Sequence, residues 1–199
     1  MGVTSIIKGL RLLRHPQLIQ DLGERRFHLE RVAELGTNFP LARFHRDIIL
    51  IGYKDDLLSI GQQSTLSIGS VLAFGDAHNG FGRIKIGAHT WIGQYNNVRA
   101  GGGDIVIGDH CLISQFCSLV AANHGLSAKT SIRNQPSDTQ KTGVVLEDDV
   151  WLGAGVSILP GVTIAKGAVV GAGSVVTRHI PLYEIWAGAP AKKIGVRDP

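Results

Sequence analysis

The sequence predicts an all-β coil, a parallel β-helix wound from six-residue units. Three observations predict it. Large aliphatic residues recur at every sixth position, from Leu146 through Leu152, Ile158, Ile164 and Val170 to Val176. Four residues after each comes a second inward-type side chain: Val150, Val156, Val162, Ala168, Ser174 and Ile180. Small and turn-forming residues fill the gaps, among them Gly153, Pro160, Gly161, Gly171 and Gly173. A helix repeats near 3.6 residues and a strand at two, so neither produces this spacing. A fixed short period marks a stack of like turns.

Each unit is a short strand that sends one aliphatic chain inward, followed by a tight turn. Three units close a triangular turn, so Leu146 stacks under Ile164, Leu152 under Val170 and Ile158 under Val176. Successive turns hydrogen-bond at the usual inter-strand spacing of about 4.8 Å. Small residues are needed at the corners, where φ turns positive and the next turn lies close. No turn buries its apolar side alone, so several must stack.

Taken in order, residues 1–47 lack the repeat and are expected to form a helical extension. Val3, Ile6, Ile7, Leu10 and Leu13 have helical spacing, with Lys8, Arg11 and Arg14 on other faces. His15-Pro16 ends that run, and Gln17 to Leu35 reads as a second helix closed by Gly36. Two readings stand: a cap over the exposed strand edge of the first turn, or a basic helix whose residues 3–14 touch a membrane surface.

The coil is expected over residues 48–181. Ile60, Leu66 and Leu72 keep the period, and the chain then departs from Gly75 to Gly80. Ile86, Ile92 and Val98 resume it, Gly101 to Gly103 slip it by three, and Ile107, Ile113 and Leu119 continue. Residues 125–143 are polar and without period, which predicts an arm protruding toward a neighbouring subunit. Residues 182–199 are expected to be a C-terminal extension.

Three runs carry a resemblance. They are Val150-Trp151-Leu152-Gly153-Ala154-Gly155, Leu159-Pro160-Gly161-Val162-Thr163-Ile164 and Val170-Gly171-Ala172-Gly173-Ser174-Val175-Val176-Thr177. They resemble the hexapeptide-repeat acyltransferases, in the sugar and xenobiotic O-acetyltransferase branch. Trp186-Ala187-Gly188-Ala189-Pro190-Ala191-Lys192 is similar to the segment with which those proteins leave the coil. The resemblance implies a left-handed β-helix, an exception to the right-handed crossover rule. It also implies a homotrimer, acetyl-CoA as acyl donor and no metal.

Composition narrows the partners. The formal charge of +4 comes without a basic run interleaved with aromatics, which argues against nucleic acid. No long apolar stretch and no secretory signal stand out, so the expected location is cytoplasmic, with peripheral contact at the inner membrane face if residues 3–14 bind lipid. Cys111 and Cys117 follow Ile107 and Ile113 by four, where small inward chains belong. They fall on different sides of a turn, which argues against a disulfide; they read as small hydrophobes, with a catalytic thiol as the alternative.

His124 stands where the repeat gives way to the long loop, and the resemblance implies that a histidine there is the general base. An alcohol attacking a thioester must lose its proton, and neutral imidazole titrates near the working pH. A histidine at a loop base also serves simply to bond a backbone carbonyl. Glu147 and Asp149 are the nearest carboxylates after the loop, and both read as solvent-facing. The resemblance further implies that Trp151, Gly153, Ala154 and Ala172 line the pantetheine path, with backbone N–H groups near Trp151 to Ala154 as oxyanion donors. Thr177, Arg178, Lys192 and Lys193 would hold the nucleotide phosphates. Gln94, Asn96 and Asn97 are candidates for bonding acceptor hydroxyls; a buried asparagine ladder explains them equally. His78, Asn79 and Trp91 are weaker candidates for the same pocket.

The expected function is acetyl-CoA-dependent O-acetylation of a sugar hydroxyl, in a polysaccharide or glycan precursor, by direct transfer. N-acetylation of a nucleotide-linked amino sugar and acetylation of a xenobiotic are the enzymatic alternatives. A noncatalytic scaffold and a carbonic anhydrase-like protein are the others. The last would require His89, His110 and His124 to meet around zinc.

Overall fold

The computed structural model describes residues 15–198, and they wind into the parallel β-helix expected of the six-residue period, left-handed as the resemblance implies. Its strands form three faces. Face I stacks Arg43–Phe44, Thr65–Leu66, Trp91–Ile92, Leu112–Ile113, Trp151–Leu152, Val169–Val170 and Glu184–Gly188 in that order. Face II stacks Ile49–Ile51, Val71–Ala73, Asn97–Arg99, Ser118–Val120, Ser157–Ile158 and Val175–Val176. Face III stacks Leu58–Ile60, Ile84–Ile86, Ile105–Ile107, Val144–Leu146 and Val162–Ile164.

The stacking follows the predicted register. Leu146 pairs with Ile164, Leu152 with Val170 and Ile158 with Val176, all parallel and all fully buried. The second inward set is buried as well, including Val150, Val156, Ala168 and Ser174. Burying one such aliphatic side chain contributes about 1.5–3 kcal/mol. Both cysteines join this interior as free thiols. Burial pushes the Cys111 thiol up to about 11.

Corners between faces III and I show why the chain can turn without glycine at every rung. Gln63, His89, His110 and Asp149 all take positive φ there, between 56° and 58°. His89 and His110 stack in parallel with ring centres 4.8 Å apart. The corners between faces I and II repeat the pattern with Tyr95 and Phe116, stacked at 5.6 Å. Stacking between rungs offsets the left-handed backbone that side chains otherwise avoid.

The boundaries differ from those read in the sequence. The first face I strand is Arg43–Phe44, inside the stretch expected to be the extension. The helix α1, Pro16–Asn38, runs through Gly36 rather than ending there, and closes with the Phe39 N–H on the Leu35 carbonyl at 2.8 Å. Nothing crowds Gly36, so the helix carries it without strain. Only the far end of α1 docks: Val32 and Leu35 are buried, and Arg31 donates to the Tyr53 carbonyl at 3.0 Å. The proposed lipid-binding residues 3–14 lie outside the described residues. At the other end, Glu184–Gly188 continues face I in parallel, and Ala191–Val196 folds back antiparallel on it.

Candidate active site

Every departure from the period falls at one edge of the prism. Paired residues on face II lie 18 apart between Ile158 and Val176, but Leu72 and Val98 are 26 apart, Val98 and Leu119 21, and Leu119 and Ile158 39. Each excess follows a face II strand and precedes a face III strand. The extra residues form the turn through Asp55–Leu57, the hairpin of Gly75–Asp76 with Gly80–Phe81, the Gly101 to Gly103 bulge, and the long arm after Asn123. Stacked on successive rungs, these insertions touch one another. Gly102 donates its N–H to the Gly80 carbonyl at 3.2 Å, and the Ser137 hydroxyl reaches the Asn79 carbonyl at 3.4 Å. Gly82 packs so tightly on the Ala100 and Gly103 carbonyls that no Cβ fits.

His124 opens the arm. Its backbone bridges antiparallel to Ser137, flanked by Asp138 N–H to Asn123 carbonyl at 2.8 Å and Gly125 N–H to Pro136 carbonyl at 3.1 Å. The arm is held from within by Gln135, the one buried polar residue of the loop. Gln135 Nε2 donates to the Ser127 and Thr130 carbonyls at 2.9 and 2.8 Å, and its Oε1 accepts the Ser127 N–H at 2.8 Å. The His124 ring is exposed and makes no hydrogen bond to a described residue.

Two adjoining concavities share His124, Asp76 and Asn79 as a common wall. The first, of about 200 Å³, adds Ile51, Ala73, Arg99, Val120 and Ser137. The second, of about 740 Å³, adds His78, Ile132, Arg133 and Asn134. Asp76 accepts the Asn79 and His78 N–H groups at 2.7 and 2.9 Å and the Asn79 side-chain amide at 3.1–3.2 Å. Those bonds, Asn79's foremost, hold its carboxyl below the usual carboxylate range. The Asn79 Oδ1 is shielded from solvent without a partner, as is the Asn97 Oδ1 on the outer side of face II. A buried unpaired acceptor is a place where a ligand hydroxyl gains a bond.

The remaining predicted residues fall in several places. Asn96 is a correction: it is fully buried, its amide donating to the Gly93 carbonyl at 2.9 Å and accepting the Cys117 N–H at 2.7 Å. It fastens two rungs and, fully buried, presents no group to an acceptor. Gly153 is likewise buried, its backbone directly beneath Ala172 and its N–H on the Val170 carbonyl at 2.8 Å. Ala154 is half-buried beside it, and its N–H makes no hydrogen bond to a described residue. Ala172 is exposed on the same I/II edge, and Gln94 sits lower on that edge.

Trp151 lies half exposed on the outside of face I, with Leu112, Val169 and Ile185 around it; Trp91 pairs with Leu112 in the same row. Thr177 and Arg178 are exposed on the II/III edge, above His124. Lys192 and Lys193 are on the final strand, and Lys193 is engaged by Glu184 at 2.6 Å. Glu147 and Asp149 lie on the III/I side of the coil, where Glu147 accepts the Lys166 N–H and Asp149 pairs with Arg197 at 2.8 Å. His89 and His110 share that side, away from His124. Asp76, Arg99, Arg133 and Gln135 escaped the sequence reading. For Asp76, Arg133 and Gln135 the signal was the common position of the insertions, each following a face II repeat; Arg99 lies on a face II strand and carried no such signal.

A coil of six-residue units with an imidazole-bearing edge defines a class, and comparison with known proteins places the chain in it. The family pattern described as bacterial transferase hexapeptide (six repeats) matches residues 143–178. A putative lipopolysaccharide biosynthesis O-acetyl transferase, WbbJ, of Escherichia coli K12 is 33% identical over 163 residues, 76% of this chain and 80% of that protein. The chain belongs to the hexapeptide-repeat acyltransferase family. A probable acetyltransferase of Mycobacterium tuberculosis, Rv3034c, is 33% identical over 80% of this chain. The chain spans about half the length of some relatives, 55% of that mycobacterial protein among them. The fold is shared with AntD, an N-acyltransferase from Bacillus cereus solved with dTDP and 3-hydroxybutyryl-CoA, at a TM-score of 0.66, 24% identity, and coverage of 83% of this chain and 88% of that one. No helix among the described residues is long and apolar enough to cross a membrane.

Proposed function

We propose that this protein transfers an acetyl group from acetyl-CoA directly to a sugar hydroxyl, with His124 as general base. The observation that carries the reading is the placement of His124, an unengaged imidazole between two concavities lined by Asp76 and Asn79, whose side-chain Oδ1 is unpaired. The imidazole takes the hydroxyl proton as the oxygen attacks the thioester carbonyl. The tetrahedral oxyanion collapses, and the CoA sulfur leaves with that proton. The Ala154 N–H is the oxyanion donor, since its neighbours Trp151, Gly153 and Gly155 already donate within the coil.

These two groups belong to different copies. His124 sits on the II/III edge, Ala154 and Ala172 on the I/II edge, and about six extended residues, roughly 20 Å, separate the edges. Proton transfer and oxyanion stabilisation act over about 3 Å. A second copy placing its I/II edge against this II/III edge supplies the missing half, and threefold symmetry repeats the arrangement in a homotrimer. Thr177, Arg178 and Lys192 then remain for the CoA phosphates.

His124→Ala should lower kcat by about 10²–10⁴ while thermal protection by CoA is retained. Near-parental turnover in that variant would remove the base assignment.

A further inference from the structure

We propose that the acceptor carries an oxyanion, a carboxylate or a phosphate, next to the sugar hydroxyl, held by Arg99 and Arg133 on either side of His124. The inference rests on the acetyl-transfer reading of the same site. Arg99 points outward from face II in a row with Ile51, Ala73 and Val120, an apolar shelf that offers its guanidinium no partner. Arg133 projects from the short turn Ile132–Asn134 in the arm. Neither makes an ion pair or a side-chain hydrogen bond to a described residue. The two line adjoining concavities whose shared wall is His124, Asp76 and Asn79.

Asp76 is the one carboxylate of that wall, and it already accepts three N–H groups from His78 and Asn79. Its charge is answered locally, so the two guanidinium groups are left to face the ligand. A neutral sugar offers them nothing matched to their charge. An oxyanion accepts the planar guanidinium fork in a bidentate pair, which a lysine does not reproduce. The pairing fixes which hydroxyl reaches His124.

The test compares galactose, galacturonate and galactose 1-phosphate as acceptors, with the full chain and with Arg99→Gln and Arg133→Gln. At least one anionic acceptor should exceed galactose in kcat/KM by about 10–100-fold, the range of a charge-assisted bond. That ratio should fall at least tenfold in each variant, with the loss in KM for the acceptor. The better of the two anions identifies the source as a sugar acid or a sugar phosphate. Calorimetric binding of the two anions without acetyl-CoA supplies a second readout, which stands even where transfer itself is absent. Parental selectivity near unity, an unchanged ratio in both variants, or a rise confined to the KM for acetyl-CoA overturns the proposal. Transfer to none of the sugars, with anion binding intact, would instead count against the acetyl-transfer reading.

Discussion

Two regions of one coil share a core and differ at one edge. From Leu146 to Val176 the turns are uninterrupted, and paired residues stand 18 apart. Between Leu72 and Leu146 the same inward positions are filled, yet each turn carries extra residues where face II gives way to face III. Inside, Val98, Leu119 and Ile107 are as buried as Ile158, Ile164 and Val176. The insertions leave the interior stack continuous because they leave the prism only at a corner. Regular rungs supply rigidity; the interrupted edge, with the outward ends of the face II strands beside it, supplies the side chains around His124.

That division can be broken by equal changes in the two regions. Ile158→Ala and Ile107→Ala each remove a fully buried side chain, one above the insertions and one among them. Each should cost about 2–5 kcal/mol in urea unfolding, and the two values should agree within about 1 kcal/mol. A much smaller cost at Ile107 would show that the insertions loosen the core beneath them.

The pH dependence of stability sharpens the same point, because it reads the shared interior alone. Burial raises the Cys111 thiol from 9.0 to about 11. Between those values the unfolded chain has released a proton that the folded chain keeps, so stability falls as pH rises. The loss should be on the order of 2 kcal/mol by pH 11. Comparing unfolding of the parent with Cys111→Ala isolates it: the variant should show the shallower decline, and parallel curves would place the thiol in a wetter setting.

How much of this was legible in the sequence follows from the same contrast. Leu146, Leu152 and Ile158 announce the coil because stacking requires like residues at like intervals, and a period survives in one dimension. The insertions have no period. What holds the Asn79 carbonyl to Ser137 is contact between loops from different rungs, and what holds Gln135 to Ser127 and Thr130 is the arm's own aperiodic folding. His124 was singled out by the family resemblance at the point where the repeat ends, whereas Arg99 was not, since an outward residue on a strand reads as ordinary surface. Asn96 misled for a related reason: side by side with Asn97 in sequence, it turns inward where its neighbour turns outward. Gly36 read as a helix end because glycine often is one, yet docking of Val32 and Leu35 carries α1 past it.

The smallest expected effect separates the two regions most directly. Gln135 fastens the arm through three hydrogen bonds, all to other residues of the arm. Gln135→Leu fills similar space without those bonds and leaves the Ser127 and Thr130 carbonyls unanswered. Because the arm lies outside the continuous core, it can open without unfolding the coil, a local event of low free energy. Global unfolding by urea should therefore move by less than about 1 kcal/mol. Amide exchange at Ser127 should accelerate, and kcat/KM should fall about tenfold, which corresponds to about 1.4 kcal/mol of lost transition-state stabilisation. A fall in global stability as large as that of Ile158→Ala would mean that the arm is part of the fold's cooperative unit, and that edge and core are not separable after all.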